Sequence, residues 1–281
     1  MKVAIFSDIH SNYVAFRRCV DYIEEQGITH IVFLGDYISD GANPQKTMDL
    51  VYDLKSQYTC WFLKGNREEY MLAYRDGDSR YNWTVSSATG SLLYTYNNLR
   101  KKDLDFFEEL PIKGIVEIEG YPSFEICHGS LNNSRGEMYP NNKISLEAAS
   151  LMKTNLLVGG HIHMLFSTKY KKKKILCAGA IGVPMGDGGK CQFVILESDG
   201  GEWQEEMIRL KYDVEAAIQE IEESELNTMG CLWTYLLKRT LRDGDNHTVN
   251  CLRIAHAIRE SEGKNTLEES HWEKAVEKMG F

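Results

Sequence analysis

Seven side chains of the kind that hold transition metals lie in five short clusters between Asp8 and His163. They are Asp8 and His10 in F-S-D-I-H, Asp36 in F-L-G-D, Asn66 in F-L-K-G-N, His128 in E-I-C-H-G, and His161 and His163 in V-G-G-H-I-H. Mixed imidazole and oxygen donors suit manganese, iron, zinc, cobalt or nickel better than magnesium or calcium. Asp36 has two oxygens with which to bridge two ions, and the neutral amide of Asn66 limits the negative charge gathered at one point. Two such ions about 3.5–4 Å apart share a hydroxide and clamp a phosphoryl group. The pattern is that of a two-metal hydrolase.

An apolar run stands directly before each cluster: Val3 to Phe6, Ile31 to Leu34, Trp61 to Leu63, Phe124 to Cys127 and Leu156 to Val158. Loops at strand ends are where an α/β scaffold holds its reactive groups, so five such ends can converge on one point. Side chains alternate along an extended strand end, which turns Asp8 and His10 to the same side, able to bind one cation together. His161 and His163 share that spacing and serve either one ion together or one ion each.

The first 70 residues alternate strand and helix. Val14, Cys19, Val20 and Ile23 recur at helical spacing in Tyr13 to Gln26, and Pro44 opens a second helix over Gln45 to Lys55. Short buried strands separated by helices predict a parallel sheet. After Pro111 the strands Lys113 to Glu119, Ser123 to Cys127, Leu156 to Val158, Phe166 to Leu176, Cys191 to Glu197 and Trp203 to Leu210 are joined mostly by short turns, which predicts a largely antiparallel half. The expected fold is α/β: two packed mixed β-sheets flanked by helices, a four-layer α/β/β/α sandwich over residues 1–212. Residues 213–281 read as a C-terminal helical appendage packed on the sandwich or on a second copy. His247, His256 and His271 lie singly there and read as surface or packing histidines.

The net charge of −9 speaks against a nucleic-acid scaffold, because phosphate backbones are held by basic surfaces. No apolar run reaches the roughly 18 residues of a membrane span. The seven cysteines, an odd number without C-x-x-C pairs, read as reduced thiols, Cys60, Cys127, Cys177 and Cys191 among them in strand-like runs. A cytoplasmic location, a small phosphorylated substrate such as a nucleotide, and no membrane partner are the expectation, with a homo-oligomer left open.

D-I-H, G-D-Y-I-S-D-G, G-N-R-E, H-G-S and G-H-I-H, in this order, resemble the blocks of the calcineurin-like metallophosphoesterase superfamily, best its bacterial branch of small phosphodiesterases and phosphatases. The likeness covers about residues 1–212. It implies one metal held by Asp8, His10, Asp36 and His163, and a second held by Asp36, Asn66, His128 and His161, with manganese foremost. It also implies in-line attack on phosphorus by the hydroxide between the ions, without a protein nucleophile. Ser7, Ser11 and Ser130 then hydrogen-bond ligands rather than attack.

One position departs from that family pattern. Members commonly carry His after the Asn of the G-N block, where this chain has Arg67. Arginine stays protonated and makes a poor general acid, but it can neutralise a phosphoryl oxygen; a salt bridge to Glu68, Glu69 or Asp40 is the plainer alternative. Asp40 is a candidate substrate contact beside it. Phosphodiesters and phosphoanhydrides, including dinucleoside polyphosphates, are therefore expected ahead of monoesters, with a phosphomonoesterase as the alternative. Tyr70 to Leu99, with Tyr74, Tyr81, Trp83, Tyr94 and Tyr96, is a long insertion between metal blocks. Trp83 is a candidate platform for a nucleobase, against ordinary packing of aromatics. A non-catalytic interaction scaffold on the same fold would explain the tail, but a scaffold has no need of a full ligand set. A nuclease would need a basic groove.

Overall fold

The computed structural model describes residues 1–281. In chain order the first elements are β1 (Lys2–Phe6), α1 (Tyr13–Glu25), β2 (His30–Phe33), α2 (Pro44–Gln57), β3 (Thr59–Phe62), α3 (Asn66–Arg75), α4 (Gly90–Asn97) and α5 (Lys101–Glu109). β4 (Lys113–Val116), β5 (Phe124–Cys127), α6 (Lys143–Leu151), β6 (Leu156–Gly159), β7 (Leu165–Tyr170), β8 (Lys173–Ala178), β9 (Lys190–Glu197) and β10 (Gln204–Lys211) follow. The tail is α7 (Val214–Glu222), α8 (Leu226–Met229), α9 (Cys231–Asp243), α10 (His247–Ser261) and α11 (Glu269–Lys278).

The strands form two five-stranded sheets, ordered β10-β9-β1-β2-β3 and β4-β5-β6-β8-β7. The period of two along β1 explains the layering. Ala4 and Phe6 face a core shared with Ala15, Phe16 and Val20 of α1 and Met48 and Val51 of α2. Val3 and Ile5 face a second core shared with Phe124, Ile126, Val158 and Leu176 of the other sheet. The far face of that other sheet is covered by Ala148 and Ala149 of α6, against Leu157 and Ile175. Two sheets pressed together with helices outside give the four layers expected. Each such fully buried aliphatic or Phe side chain contributes about 1.5–3 kcal/mol.

The first three strands pair parallel and most pairings after Pro111 are antiparallel, as expected, but the two sheets do not divide the chain at that point. β9, from late in the chain, pairs antiparallel with β1 and with β10 in the first sheet. In the second sheet β5–β6 and β6–β8 are parallel while β4–β5 and β7–β8 are antiparallel. Both sheets are mixed, as expected, with α6 supplying the crossover between the parallel strands β5 and β6. As a result β1, β2 and β3 of one sheet, and β5 and β6 of the other, carry ligand loops on their C-terminal ends.

The tail lies on the sandwich. Ile218, Ile221, Leu226, Leu237 and Leu241 share a core with Tyr94 of α4 and Val183 of the loop after β8. Polar ties join it to the body as well: Asn43 Nδ2 donates to Glu220 at 2.7 Å, and the Leu232 amide donates to Ser87 Oγ at 2.9 Å. Leu236, Cys251, Ala255, Trp272 and Ala275 form a further core within the tail. All seven cysteines are free thiols. No helix is long and apolar enough to cross a membrane.

Candidate metal centre

Five loops leave five strand ends and bring all seven candidate ligands to one place between the sheets. Asp8 and His10 follow β1, Asp36 follows β2, Asn66 opens α3 after β3, His128 follows β5, and His161 and His163 follow β6. They fall into two groups. Asp8, His10 and His163 present nitrogen and carboxylate atoms within 4.8 Å of one another, and so do Asp36, His128 and His161. In the first group His163 Nε2 is 3.1 Å from His10 Nε2 and 3.2 Å from Asp8 Oδ1. In the second, His128 Nε2 is 3.1 Å from Asn66 Oδ1 and 3.4 Å from Asp36 Oδ2. The same Asp36 Oδ2 lies 3.7 Å from His10 Nε2, so this carboxylate stands between the groups.

How the loops achieve this differs from the expectation of alternating side chains on an extended strand. Asp8, His10, Asp36, His161 and His163 all adopt positive φ, between 50° and 70°. They lie in left-handed loop turns past the strand ends, a conformation that costs a non-glycine residue roughly 1–3 kcal/mol and concentrates at functional sites. The i, i+2 spacing therefore carries no shared direction, and His161 and His163 go to different groups. Surrounding bonds repay the strain. Buried Glu68 accepts the amide N–H groups of Gly65, Asp36 and Tyr37 at 2.7, 2.8 and 2.9 Å, stapling the β2 loop to the start of α3. Asp8 Oδ2 accepts the His161 amide at 2.9 Å, tying the β1 loop to the β6 loop across the sheets.

The residues fit divalent cations. Three imidazoles have Nδ1 beside an acceptor: His128 at 2.9 Å from the Leu34 carbonyl, His163 at 2.7 Å from the Val183 carbonyl, and His10 at 3.1 Å from Asp40 Oδ2. With Nδ1–H donated outward, the Nε2 lone pairs point into the centre, which is the arrangement of metal-binding histidines. Asp8 Oδ1 is buried there with no hydrogen-bond partner in the chain, a cost that a cation would remove. Electrostatics agree. Burial opposes a charge on His10 and His128, yet the carboxylates of Asp40 and Asp8 around the first, and Asp36 beside the second, push their pKa up to about 10 and about 9. Burial also opposes ionisation of Asp36, and His128 and His10 overcome it, bringing the carboxyl down to about 2. The pocket demands positive charge.

Outside the ligand groups, a cleft of about 760 Å³, open to solvent, is lined by His10, Asp36, Asn66, His161 and His163 on one side. Arg67 lines it too, with Nη2 3.1 Å from Asp40 Oδ2. Asp40 lines the cleft as well. It is 4% exposed, and both its oxygens are engaged by protein donors, Oδ1 by the Trp233 indole at 2.8 Å. Trp83, expected as a nucleobase platform, lies elsewhere: its ring stacks on Tyr74 at 4.3 Å and 4°, inside the helix-side core and away from the cleft. The insertion spends its aromatics on packing because Tyr74, Trp83 and Tyr96 cover each other's faces.

The tail also reaches the cleft: Trp233, Leu237, Asn246, Thr248, Val249 and Arg253 line it together with the ligand-type residues. No metal-type spacing marks them; the only local signal was that the tail exists. The tail also holds a trio not foreseen, Asp243, Asp245 and His247, at the surface, where His247 Nε2 pairs with Asp243 at 2.8 Å. His271 is fully buried and its Nδ1 accepts the Glu268 amide at 2.8 Å, a packing and capping role as expected.

Comparison with known proteins gives the same direction. An uncharacterised protein of Methanocaldococcus jannaschii is 24% identical over 239 residues, 80% of this chain and 93% of that protein. A hypothetical protein of Pyrococcus horikoshii OT3 superposes with a TM-score of 0.71 at 18% identity, over 86% of this chain and 98% of its own. A metallophosphoesterase of Sphaerobacter thermophilus follows with a TM-score of 0.63 at 19% identity, over 82% and 97%. These two likenesses show the shared fold. Residues 1–201 match the calcineurin-like phosphoesterase superfamily domain, and with this ligand-rich centre the chain belongs to that superfamily as a metal-dependent phosphoesterase.

Proposed function

We propose that the chain binds two divalent transition-metal ions, manganese foremost, and hydrolyses phosphodiester or phosphoanhydride bonds of small substrates such as nucleotides or dinucleoside polyphosphates. The observation that carries this reading is the position of Asp36 Oδ2, 3.7 Å from His10 Nε2 and 3.4 Å from His128 Nε2. On this reading Asp8, His10, Asp36 and His163 hold one ion, and Asp36, Asn66, His128 and His161 the other. Bound cations supply Lewis acidity toward phosphoryl oxygens and make water acidic enough to attack at neutral pH.

The chain's own residues do the rest. The Arg67 side chain lines the cleft and is 20% exposed, with Nη2 on Asp40, so the open part of its guanidinium has donors to offer a phosphoryl oxygen. A permanently charged arginine cannot protonate a departing alkoxide, which favours leaving groups of low pKa. Activated aryl diesters and anhydrides should then exceed alkyl monoesters in kcat/KM; equal or higher values on simple alkyl monoesters would refute that preference. Metal analysis of the purified chain tests the centre, with two ions per chain expected. Asp36→Asn should lose both ions' shared carboxylate and cut activity by orders of magnitude while circular dichroism stays unchanged.

A further inference from the structure

Asp40 is the one buried carboxylate that touches the ligand set, the cleft and the tail together. It follows Ser39 in a left-handed turn, with φ of 83° and 63° for the two residues, so no regular backbone ladder fixes its side chain. Donors from separate elements fix it instead. Trp233 Nε1 of α9 donates to Oδ1 at 2.8 Å, while His10 Nδ1 and Arg67 Nη2 each lie 3.1 Å from Oδ2, as does Ser39 Oγ. An indole nitrogen only donates, so the sense of that bond is unambiguous. With Oδ1 taken by the indole, Oδ2 alone faces His10 and Arg67, and the His10 ring is held with its Nε2 toward Asp8 and His163. The Trp272 ring lies edge-on to Trp233, at 6.2 Å and 76°, without touching Asp40.

We propose that Trp233 is a positioning residue of the metal centre, acting through Asp40 on the orientation of His10 and Arg67, so that the C-terminal helices complete the site. Trp233 lies beyond the residues 1–201 that carry the family resemblance, which makes this a feature of the longer chain. The inference rests on the reading of Asp8, His10 and His163 as a cation-binding group.

Calorimetric zinc titration of the full chain tests it without an activity readout. Trp233→Phe keeps an aromatic ring but removes the N–H and the five-membered ring that carries it, and should weaken zinc binding roughly 10-fold, the scale of lost support behind a ligand. In an Asp40→Asn background the same change should add nothing, since the path is already cut. Trp272→Phe removes a buried indole N–H that has no partner and should leave zinc affinity unaltered. No loss in Trp233→Phe, an equal loss in both backgrounds, or the same loss in Trp272→Phe would overturn the proposal in favour of packing. If Trp233→Phe fails to fold, the Trp233 indole N–H resonance of the unaltered chain decides: a shift on zinc addition supports the coupling, and a resonance unmoved at saturation overturns it. A parent chain that binds no zinc refutes the ligand reading itself, and the positioning role falls with it.

Discussion

Arg67 is the residue on which the chemistry turns, because one guanidinium serves two neighbours. Its Nη2 pairs with Asp40 while the exposed part of the guanidinium lines the cleft. If that exposed part meets a phosphoryl oxygen, Arg67→Ala should lose roughly 2–4 kcal/mol of transition-state stabilisation, the scale of one removed oxyanion donor. Arg67→Lys should recover only part, since a point charge cannot hold Asp40 and a phosphoryl oxygen with one planar fork. Arg67→His should lower activity on the native substrate; a gain there, above all on monoesters, would mean that the residue usual in the family is simply missing. Steady-state kinetics with metal content checked in each variant reads these outcomes. Unchanged kcat/KM in Arg67→Ala would assign the arginine to its pair with Asp40 alone.

At the scale of elements, two glycines fix distances that no other residue allows. A Cβ at Gly65 would stand 2.2 Å from Asp36 Oδ1 and 2.7 Å from His128 Cε1. Gly65→Ala should therefore displace the carboxylate between the ligand groups, and metal affinity should fall more than thermal stability of the metal-free chain. A variant that binds metal like the parent would show that the β2 loop yields at no cost. Gly90, at the start of α4, meets the Met229 carbonyl of the tail, where a Cβ would clash. Overpacking of this kind costs about 1–3 kcal/mol. Gly90→Ala should lower the thermal midpoint and make the tail more open to proteolysis; protection equal to the parent would show that α4 and α8 are not locked together. The insertion meets the tail through Tyr94, which shares a core with Leu226, Leu237 and Leu241.

For the whole molecule, the charge balance of the centre sets a pH dependence. His10 and His128 titrate near 10 and 9 in the metal-free chain, above the ordinary value of about 6.5 for an unfolded histidine. Raised folded values mean stability that is fully present below about pH 6.5 and lost as pH climbs through 9 and 10. The metal-free chain should thus lose thermal stability from neutral to alkaline pH, for want of positive charge among Asp8, Asp36 and Asp40. Metal binding must displace those protons, so affinity should rise with pH and protons should be released. Thermal midpoints from pH 6.5 to 10, with and without manganese, check both signs. A metal-free curve that rises over that range would contradict the assignment of these imidazoles as the charge balance of the pocket.

The seven ligand-type residues were legible in the chain because donor type and position after an apolar run are local properties. The helices Tyr13–Glu25 and Val214–Glu222, and the strands that precede the clusters, were legible for the same reason: burial of one face writes a period into the residues. Pairing between distant strands is not written that way, so the return of β9 and β10 to the edge of β1 was missed. Spacing likewise could not say that Asp8, His10, His161 and His163 leave the strand in left-handed turns, since φ is chosen by the bonds that close around each loop. Nor could it choose between Trp83 and Trp233. Both are single indoles within their segments, and only packing spends the first on Tyr74 and brings the second, from the far end of the chain, to a buried carboxylate beside the ligands. Donor identity is a property of sequence, while convergence across 150-odd residues belongs to the tertiary structure, because it depends on which surfaces exclude water together.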